Sequence, residues 1–492
     1  MLSPTREEYL EQAKLGGPIP IVRDVLADME TPLSAYWKLA HDETYSFLLE
    51  SVTGGEQLAR YSVIGVRPRL VVRSKGDTVW KIERGHSSKR QLEPGEDPLQ
   101  FLRDEVKVVR EELLHDLPKF CGGAVGMVGY DYVRFIENLP DGNEDDLELD
   151  DVSMMLVDSM VVFDHAKNIV KLIAVADGTE EGYDNALAEI ERINRTLQGP
   201  LPQLPTFKGQ ASEVKTNIER EQFESSVTKI KQYIENGDCI QVVPSMRFET
   251  EIQCHPLTVY RSLRSLNPSP YMFFLRFGDF DIVGASPEIL VGLSEDQARV
   301  RPIAGTRPRG ESPKADDQYA SELLADEKER AEHIMLVDLG RNDLGRVCDY
   351  GSVTVDELMV IERYSHVMHI VSNVHGTLTG DKDAIDLVRA VFPAGTVSGA
   401  QKVRAMEIVD ELETTRRGLY AGAVGYFSSS GEVDLAIAIR TILIKDGKAY
   451  VQSGAGIVYD SVPSTEYEEV CNKAKACLKA IEIAQTGLTT QS

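Results

Sequence analysis

The sequence predicts an α+β fold. Three observations carry that reading: strand-like apolar runs outnumber helical patterns, the helices are few and long, and no regular β-α-β alternation joins them. A chain of 492 residues exceeds what one hydrophobic core serves, so two domains, or one large interwoven domain, are expected.

The first strand-like runs are YSFLLESV (45–52), RLVVRS (69–74), GGAVGMVGYDYV (122–133) and SMMLVDSMVVFD (153–164). Between the last two lies DGNEDDLELDD (141–151), which lacks the spacing of a calcium loop and reads as a solvated acidic loop. The clearest seam is LQGPLPQLPTFKGQAS (197–212), where prolines and glycines interrupt both kinds of pattern. It divides an amino-terminal region, 1–200, from a second region, 213–485. Beyond it, REQFESSVTKIKQYIENGDCIQVVPSMRFE reads as a helix, a Gly-Asp turn and a strand. A helical pattern over 319–339 precedes the strand runs HVMHIVSNVHG, GLYAGAVGYFSS, VDLAIAIRTILI and AYVQSGAGIVY, and a final helix begins near Pro463.

Composition narrows the function. A formal charge of −26 repels nucleic acid and anionic lipid, so the expected partners are proteins and small molecules. No run approaches the ~20 apolar residues of a membrane span, and MLSPTREEYLEQAK has acids where a signal peptide needs basic and then apolar residues, so a cytoplasmic location is expected. Six cysteines lie scattered without a CxxC pair and read as reduced, packed thiols. Neither a Walker loop nor a dinucleotide GxGxxG is present, which argues against ATP and NAD.

Several polar groups interrupt this apolar pattern. In ADEKERAEHIMLVDLGRND, Glu329 and Glu332 share one helical face just before Ile334 to Val337. In STEYEEVCNKAKACLKAI, Glu466 and Glu469 repeat that spacing, with Lys473 one turn on. Each pair is either a solvated face or, with both pairs in one cleft, a set of hard oxygen donors for Mg2+. His369 alternates with Met368 and Ile370 and is either a packed core histidine or a site residue. Arg440 closes LAIAIR and needs a carboxylate, from protein or ligand. PIAGTRPRG (302–310), GTVSGA (395–400) and SGAGI (453–457) are turns or loops whose backbone N–H groups approach an anion.

The motifs ARYSVIG, YIENGDCIQVVPS, NPSPYMFF, GASPEIL, PIAGTRPRG, DEKERAEHIMLVDLGRNDLG, YSHVMH, GTVSGAQKVRAMEI, RGLYAGAVGY, AIAIRT, QSGAGIV and STEYEEVCNKA, in this order, resemble the chorismate-utilising enzymes over nearly the whole chain. The resemblance implies a large antiparallel-sheet sandwich with flanking helices. It also implies chorismate as substrate and Mg2+ as cofactor, with Glu332 and Glu469 on the ion and Glu329 and Glu466 acting through waters. Tyr420 and Arg440 match groups that hold the enolpyruvyl carboxylate, helped by N–H groups of Gly305, Gly454 and Gly456; Thr306 also faces the ligand. Lys473 matches a lysine beside the metal-bound carboxylate.

Relatives that make aminodeoxychorismate carry a nucleophilic lysine where this chain has Ala304, and relatives that add water carry a lysine base where it has Gln241. Together these two positions imply direct amination at ring C2 by ammonia. Glu288 matches the acid for the departing C4 hydroxyl, which requires a raised pKa. His369 and Thr396 match positions tied to pyruvate loss, giving anthranilate. The family's proline after SGA is Gln401 here, a change expected to loosen that turn.

The likeness extends to a tryptophan feedback site, with Glu50 and Ser51 from LLES and Pro270, Tyr271 and Met272 from NPSPYM. No glutaminase machinery is evident, so ammonia is expected from a separate glutamine amidotransferase subunit in a hetero-oligomer. Two other readings stay open from sequence: an enzyme that stops at aminodeoxyisochorismate, and an inert acidic binding protein on the same fold.

Overall fold

The strands Gly123–Val128 and Val152–Val157 are buried at every position, and a strand buried on both faces needs a covering layer on each. In the computed structural model, which describes residues 2–26, 29–51, 60–83, 85–364 and 367–487, two antiparallel sheets cover one another. Each has twelve strands among the described residues. Phe47, Phe273, Leu275 and Ile282 of the first sheet meet Val71, Met127, Met155 and Val424 of the second in a shared core. Helices Pro32–Ala40, Glu180–Gln198, Arg220–Glu235, Pro256–Leu266 and Pro463–Thr486 cover the outer face of the first sheet. Glu327–Gly345 and Ala384–Val391 cover that of the second. This is the expected α+β sandwich with flanking helices.

Both sheets draw strands from before and after the proline-rich seam. Tyr45–Glu50 pairs with Tyr271–Phe277 in the first sheet, and Gly123–Val128 pairs with Ala423–Ser428 in the second. Residues 199–214 carry neither helix nor strand. Among the described residues no helix is long and apolar enough to cross a membrane, and the six cysteines form no disulfide.

Some elements depart from the sequence reading. SMMLVDSMVVFD breaks at Asp158 into Val152–Val157, in the second sheet, and Ser159–Asp164, in the first. VDLAIAIRTILI breaks likewise into Val433–Ile437 and Thr441–Lys445, with Arg440 at φ 51° in the joint. Apolar periodicity records burial and cannot record a change of partner sheet. The run GGAVGMVGYDYV ends as a strand at Val128, and Tyr130–Phe135 is a 3-10 helix. The helical pattern over 319–339 is two helices, Pro313–Ala325 and Glu327–Gly345, because the Asp326 carboxylate accepts the N–H groups of Lys328 and Glu329 and caps the second.

The acidic stretch 141–151 is not simply solvated. Asp141 pairs with Arg416, Asp145 with Lys75, Asp146 with Arg247 and Asp150 with Arg73. These cations come from remote strands and loops, which is why the local composition suggested free carboxylates.

Candidate active site

The stretch PIAGTRPRG is not a free loop: Ile303–Pro308 is an edge strand against Val367–Thr377. Its register shifts between Ala304 and Thr306, where Gly305 takes φ 65° in a bulge. A Cβ on Gly305 would lie 3.0 Å from Leu323 Cδ1 and 3.1 Å from Glu329 Oε2, so the position tolerates little else. The bulge turns the Gly305 carbonyl toward His369, whose Nδ1 donates to it at 2.8 Å; Thr306 Oγ1 lies 3.1 Å from the same nitrogen. With Nδ1 carrying the proton, the neutral ring keeps its lone pair on Nε2. Burial pushes the His369 pKa below its ordinary value, with the Gly305 bond opposing and the charge of Arg440 adding to the fall.

Two helices bring the acids. Glu329 and Glu332 project from the first turns of Glu327–Gly345, and Arg307 ties that helix to the edge strand through Asp326 at 2.9 Å and Glu329 at 3.3 Å. Gln241 Nε2 donates to Glu332 Oε1 at 3.2 Å. Burial raises the Glu332 pKa; Gln241 opposes the rise and the charges of Glu329 and Glu469 add to it. Glu466 and Glu469 come from the final helix, Pro463–Thr486. Burial also raises Glu466, opposed by Ser461 and reinforced by Glu469. Lys473 Nζ sits 2.7 Å from Glu469 and donates to the Gly454 carbonyl at 3.0 Å. The four carboxylates thus share one electrostatic field across two helices. Among the described residues, no three acidic, histidine or cysteine side chains are close enough to enclose a metal by themselves.

Arg440, at the crossover between the sheets, makes no ion pair within 4 Å among the described residues; its guanidinium donates to the Lys473 carbonyl at 2.9 Å. Tyr420 is buried, which pushes its phenol up to about 12 and keeps it a hydrogen-bond donor. Gly454 and Gly456 leave room for these groups. A Cβ on Gly454 would fall 2.7 Å from the Tyr420 hydroxyl, and one on Gly456 would fall 2.7 Å from Gln241 Nε2.

Glu288 follows the strand Phe280–Ser286 and is buried. Burial pushes its carboxyl up to about 8, against the weaker pull of the nearby Thr396 hydroxyl and the charge of Lys473. Thr396 lies in the helical turn Gly395–Ser398, and its own buried hydroxyl completes no hydrogen bond among the described residues. The segment before Gln401 is not loose, since Gly399–Ala400 pairs with Gln241–Val242.

Every residue assigned above to catalysis, substrate or metal lines one cavity of about 710 Å³. Lys328, Tyr364, Ser453 and Asn472 line it too and were missed from sequence, although all four fall inside quoted motifs. Tyr364 is edge-on to the His369 ring at 5.7 Å. Nothing in a tyrosine's position along the chain says that it packs on a histidine five residues away.

The candidate tryptophan residues gather at the ends of two paired strands, where Met272 lies opposite Glu50. Glu50 is buried and engaged by Tyr260 at 2.5 Å and by Arg264 at 3.0 and 3.2 Å. The Ser51 hydroxyl is buried without a hydrogen bond among the described residues, while Tyr271 packs between the sheets. Pro270 belongs to the wall of the catalytic cavity. Of the five, Pro270 is the one that the regulatory candidate shares with the main site.

The profile of the family described as chorismate binding enzyme matches residues 46–479. Anthranilate synthase component 1 of Acetivibrio thermocellus is 48% identical over 98% of this chain and 99% of its own length. Its Pseudomonas putida counterpart is 47% identical with the same coverage. Among solved structures, anthranilate synthase component I of Streptococcus pneumoniae TIGR4 matches with TM-score 0.78 at 38% identity, over 92% of this chain and 99% of that one. The menaquinone-specific isochorismate synthase of Escherichia coli, at 18% identity and TM-score 0.71, shares the fold over 96% of this chain and 98% of its own.

Proposed function

The chain belongs to the chorismate binding enzyme family and is a chorismate-utilising enzyme of the anthranilate synthase component 1 kind, and from that premise we propose that it aminates chorismate at ring C2 with ammonia and then expels pyruvate. The balance is chorismate plus ammonia to anthranilate, pyruvate and water. The observation that carries this reading is the meeting, in one cavity, of a carboxyl held protonated, a neutral imidazole, a guanidinium without an ion pair among the described residues, and four glutamates.

Arg440 and the Tyr420 hydroxyl bind the enolpyruvyl carboxylate, with backbone N–H groups of Gly305, Gly454 and Gly456 around it. As ammonia bonds to C2, the C4–O bond breaks and Glu288 delivers its proton, so the hydroxyl departs as water. Gln241 is no base and Ala304 no nucleophile, and ammonia requires neither. His369 Nε2 then takes the C2 proton, the C3–O bond breaks, and the side chain leaves as the enolate of pyruvate, which takes up a proton, while the ring becomes aromatic. Thr396 stands beside Glu288 for this second stage.

The acids fit Mg2+: they are hard oxygen donors, and their mutual repulsion at Glu332 and Glu466 is what a divalent cation relieves. Glu332 and Glu469 would ligate it, with Glu329 and Glu466 acting through waters. Bound there, the ion would hold the ring carboxylate and neutralise charge near the reacting face.

Ammonia comes, in this reading, from a separate glutamine amidotransferase subunit in a hetero-oligomer. Cys121, the one cysteine in a glycine-rich setting, supports it: burial pushes its thiol up to about 11, the opposite of an activated nucleophile. Tryptophan acting at Glu50, Ser51, Pro270, Tyr271 and Met272 as feedback inhibitor, and a cytoplasmic location, complete the reading.

The test is fluorescence and mass detection of the product from chorismate, Mg2+ and ammonium at alkaline pH, with and without tryptophan. Anthranilate suppressed by tryptophan is expected. Product arrested at aminodeoxyisochorismate would remove the lyase roles of His369 and Thr396, and unchanged chorismate would overturn the catalytic reading.

A further inference from the structure

Behind the cavity, and not in its lining, lies the guanidinium of Arg417. It rests against the Tyr130 ring at 4.8 Å and the Tyr420 ring at 5.5 Å from the ring centres. It donates to the Val397 carbonyl at 2.8 Å and the Val243 carbonyl at 2.6 Å. Two of its nitrogens also donate to Glu413, at 2.9 and 2.7 Å. Glu413 Oε1 accepts the Ser245 N–H and hydroxyl, both at 2.8 Å, and Gln452 donates to that hydroxyl oxygen at 2.8 Å.

The segments held in this way are the ones that carry the chemistry. Val397 follows Thr396, Val243 stands two residues after Gln241, and the ring of Tyr420 packs directly on the guanidinium. We propose that Arg417, fixed by Glu413, is a positioning residue that sets Thr396, Gln241 and Tyr420 in one mutual arrangement around the substrate. The proposal rests on the cavity being the site of chorismate amination and pyruvate loss.

The physical reason lies in the side chain. Taking a charge out of water is costly, and a buried Arg-Glu pair contributes little net stability, so its value lies in specifying geometry. A rigid fork of five N–H donors can meet two carbonyls and a carboxylate together while its flat face supports an aromatic ring. A lysine ammonium offers a single nitrogen. The seryl and glutaminyl arm extends the same constraint to Gln452, which lines the cavity.

The test compares the full-length wild type with Arg417→Lys, using chorismate, Mg2+ and ammonium, with thermal melts as the control for folding. Displacing the Thr396 segment and the Tyr420 ring by a fraction of an ångström is expected to lower kcat on the order of tenfold or more. The KM for chorismate should rise, and the product ratio should shift toward aminodeoxyisochorismate, still bearing its enolpyruvyl group. A purely structural role would lower the melting temperature and the active fraction while leaving KM and the product ratio of folded enzyme unchanged, and that result would overturn the proposal. Glu413→Gln, of nearly the same shape, carries the same expectation and decides the matter where Arg417→Lys does not fold. Wild-type enzyme that makes no aminated product overturns the functional reading itself, whereas wild-type activity with an unchanged ratio in the folded variant overturns the positioning role alone.

Discussion

Gln241 donates to Glu332 across 3.2 Å, joining the short strand Gln241–Val242 to the helix Glu327–Gly345 at the acid nearest the other glutamates' influence. Because burial and the charges of Glu329 and Glu469 raise the Glu332 pKa, its carboxylate is held at a cost that a divalent cation would offset. Glu332→Gln is expected to abolish Mg2+-dependent turnover, by on the order of a hundredfold or more. The fold should persist with an unchanged or higher melting temperature, because the substitution removes repulsion. Activity assays at varied Mg2+ and a thermal melt decide it; retained activity would remove the metal assignment.

Glu288 supplies a pH dependence of definite sign. Its carboxyl is protonated up to about 8, so at constant free ammonia kcat should fall as pH rises through that value. The stability effect runs the same way. The folded protein holds this proton from the ordinary 4.5 up to about 8 and the unfolded chain does not, so stability falls as pH rises across that window. Glu288→Gln should lower kcat by on the order of 10²–10⁴ and flatten this part of the stability curve. A kcat profile flat to pH 10 in the wild type would rule out the acid role.

His369→Asn removes the Nε2 lone pair that the Gly305 hydrogen bond assigns. Ring amination should continue while pyruvate loss slows by on the order of 10²–10⁴. Mass detection should then find aminodeoxyisochorismate accumulating. Anthranilate formed at the wild-type rate would reassign the base.

Gly454→Ala tests how tightly the carboxylate pocket is built. The new methyl would fall 2.6 Å from the Pro244 carbonyl oxygen and 2.7 Å from the Tyr420 hydroxyl, and the first is backbone that cannot swing aside. KM for chorismate should rise by roughly tenfold or more, since a misplacement of this size is costly. An unchanged KM would show that Tyr420 does not touch the substrate.

Ser51→Phe fills the space at the buried Ser51 hydroxyl, at the end of the strand that pairs with Tyr271–Phe277. Tryptophan inhibition should be lost with kcat within about a factor of two, because Ser51 does not line the catalytic cavity and distant sites act nearly independently, while crowding at this buried hydroxyl should lower the melting temperature. Inhibition curves with and without the substitution decide it; an unaltered tryptophan response would place the regulatory site elsewhere.

Much of this was legible along the chain. The paired glutamates at helical spacing, the small-residue stretches and the arginine closing an apolar strand were visible because each is a local breach of periodicity, and the structure brings them all to one cavity. Local pattern therefore suffices for the class of fold, the family and the residues that gather at the cavity. The rest depends on tertiary structure: that SMMLVDSMVVFD and VDLAIAIRTILI each serve both sheets, that burial raises the Glu288 pKa, and that Arg417 braces the cavity from behind. The reason is physical. Apolar periodicity encodes whether a residue is buried, whereas sheet partnership, desolvation and a guanidinium's choice of acceptors depend on groups that arrive from distant parts of the chain.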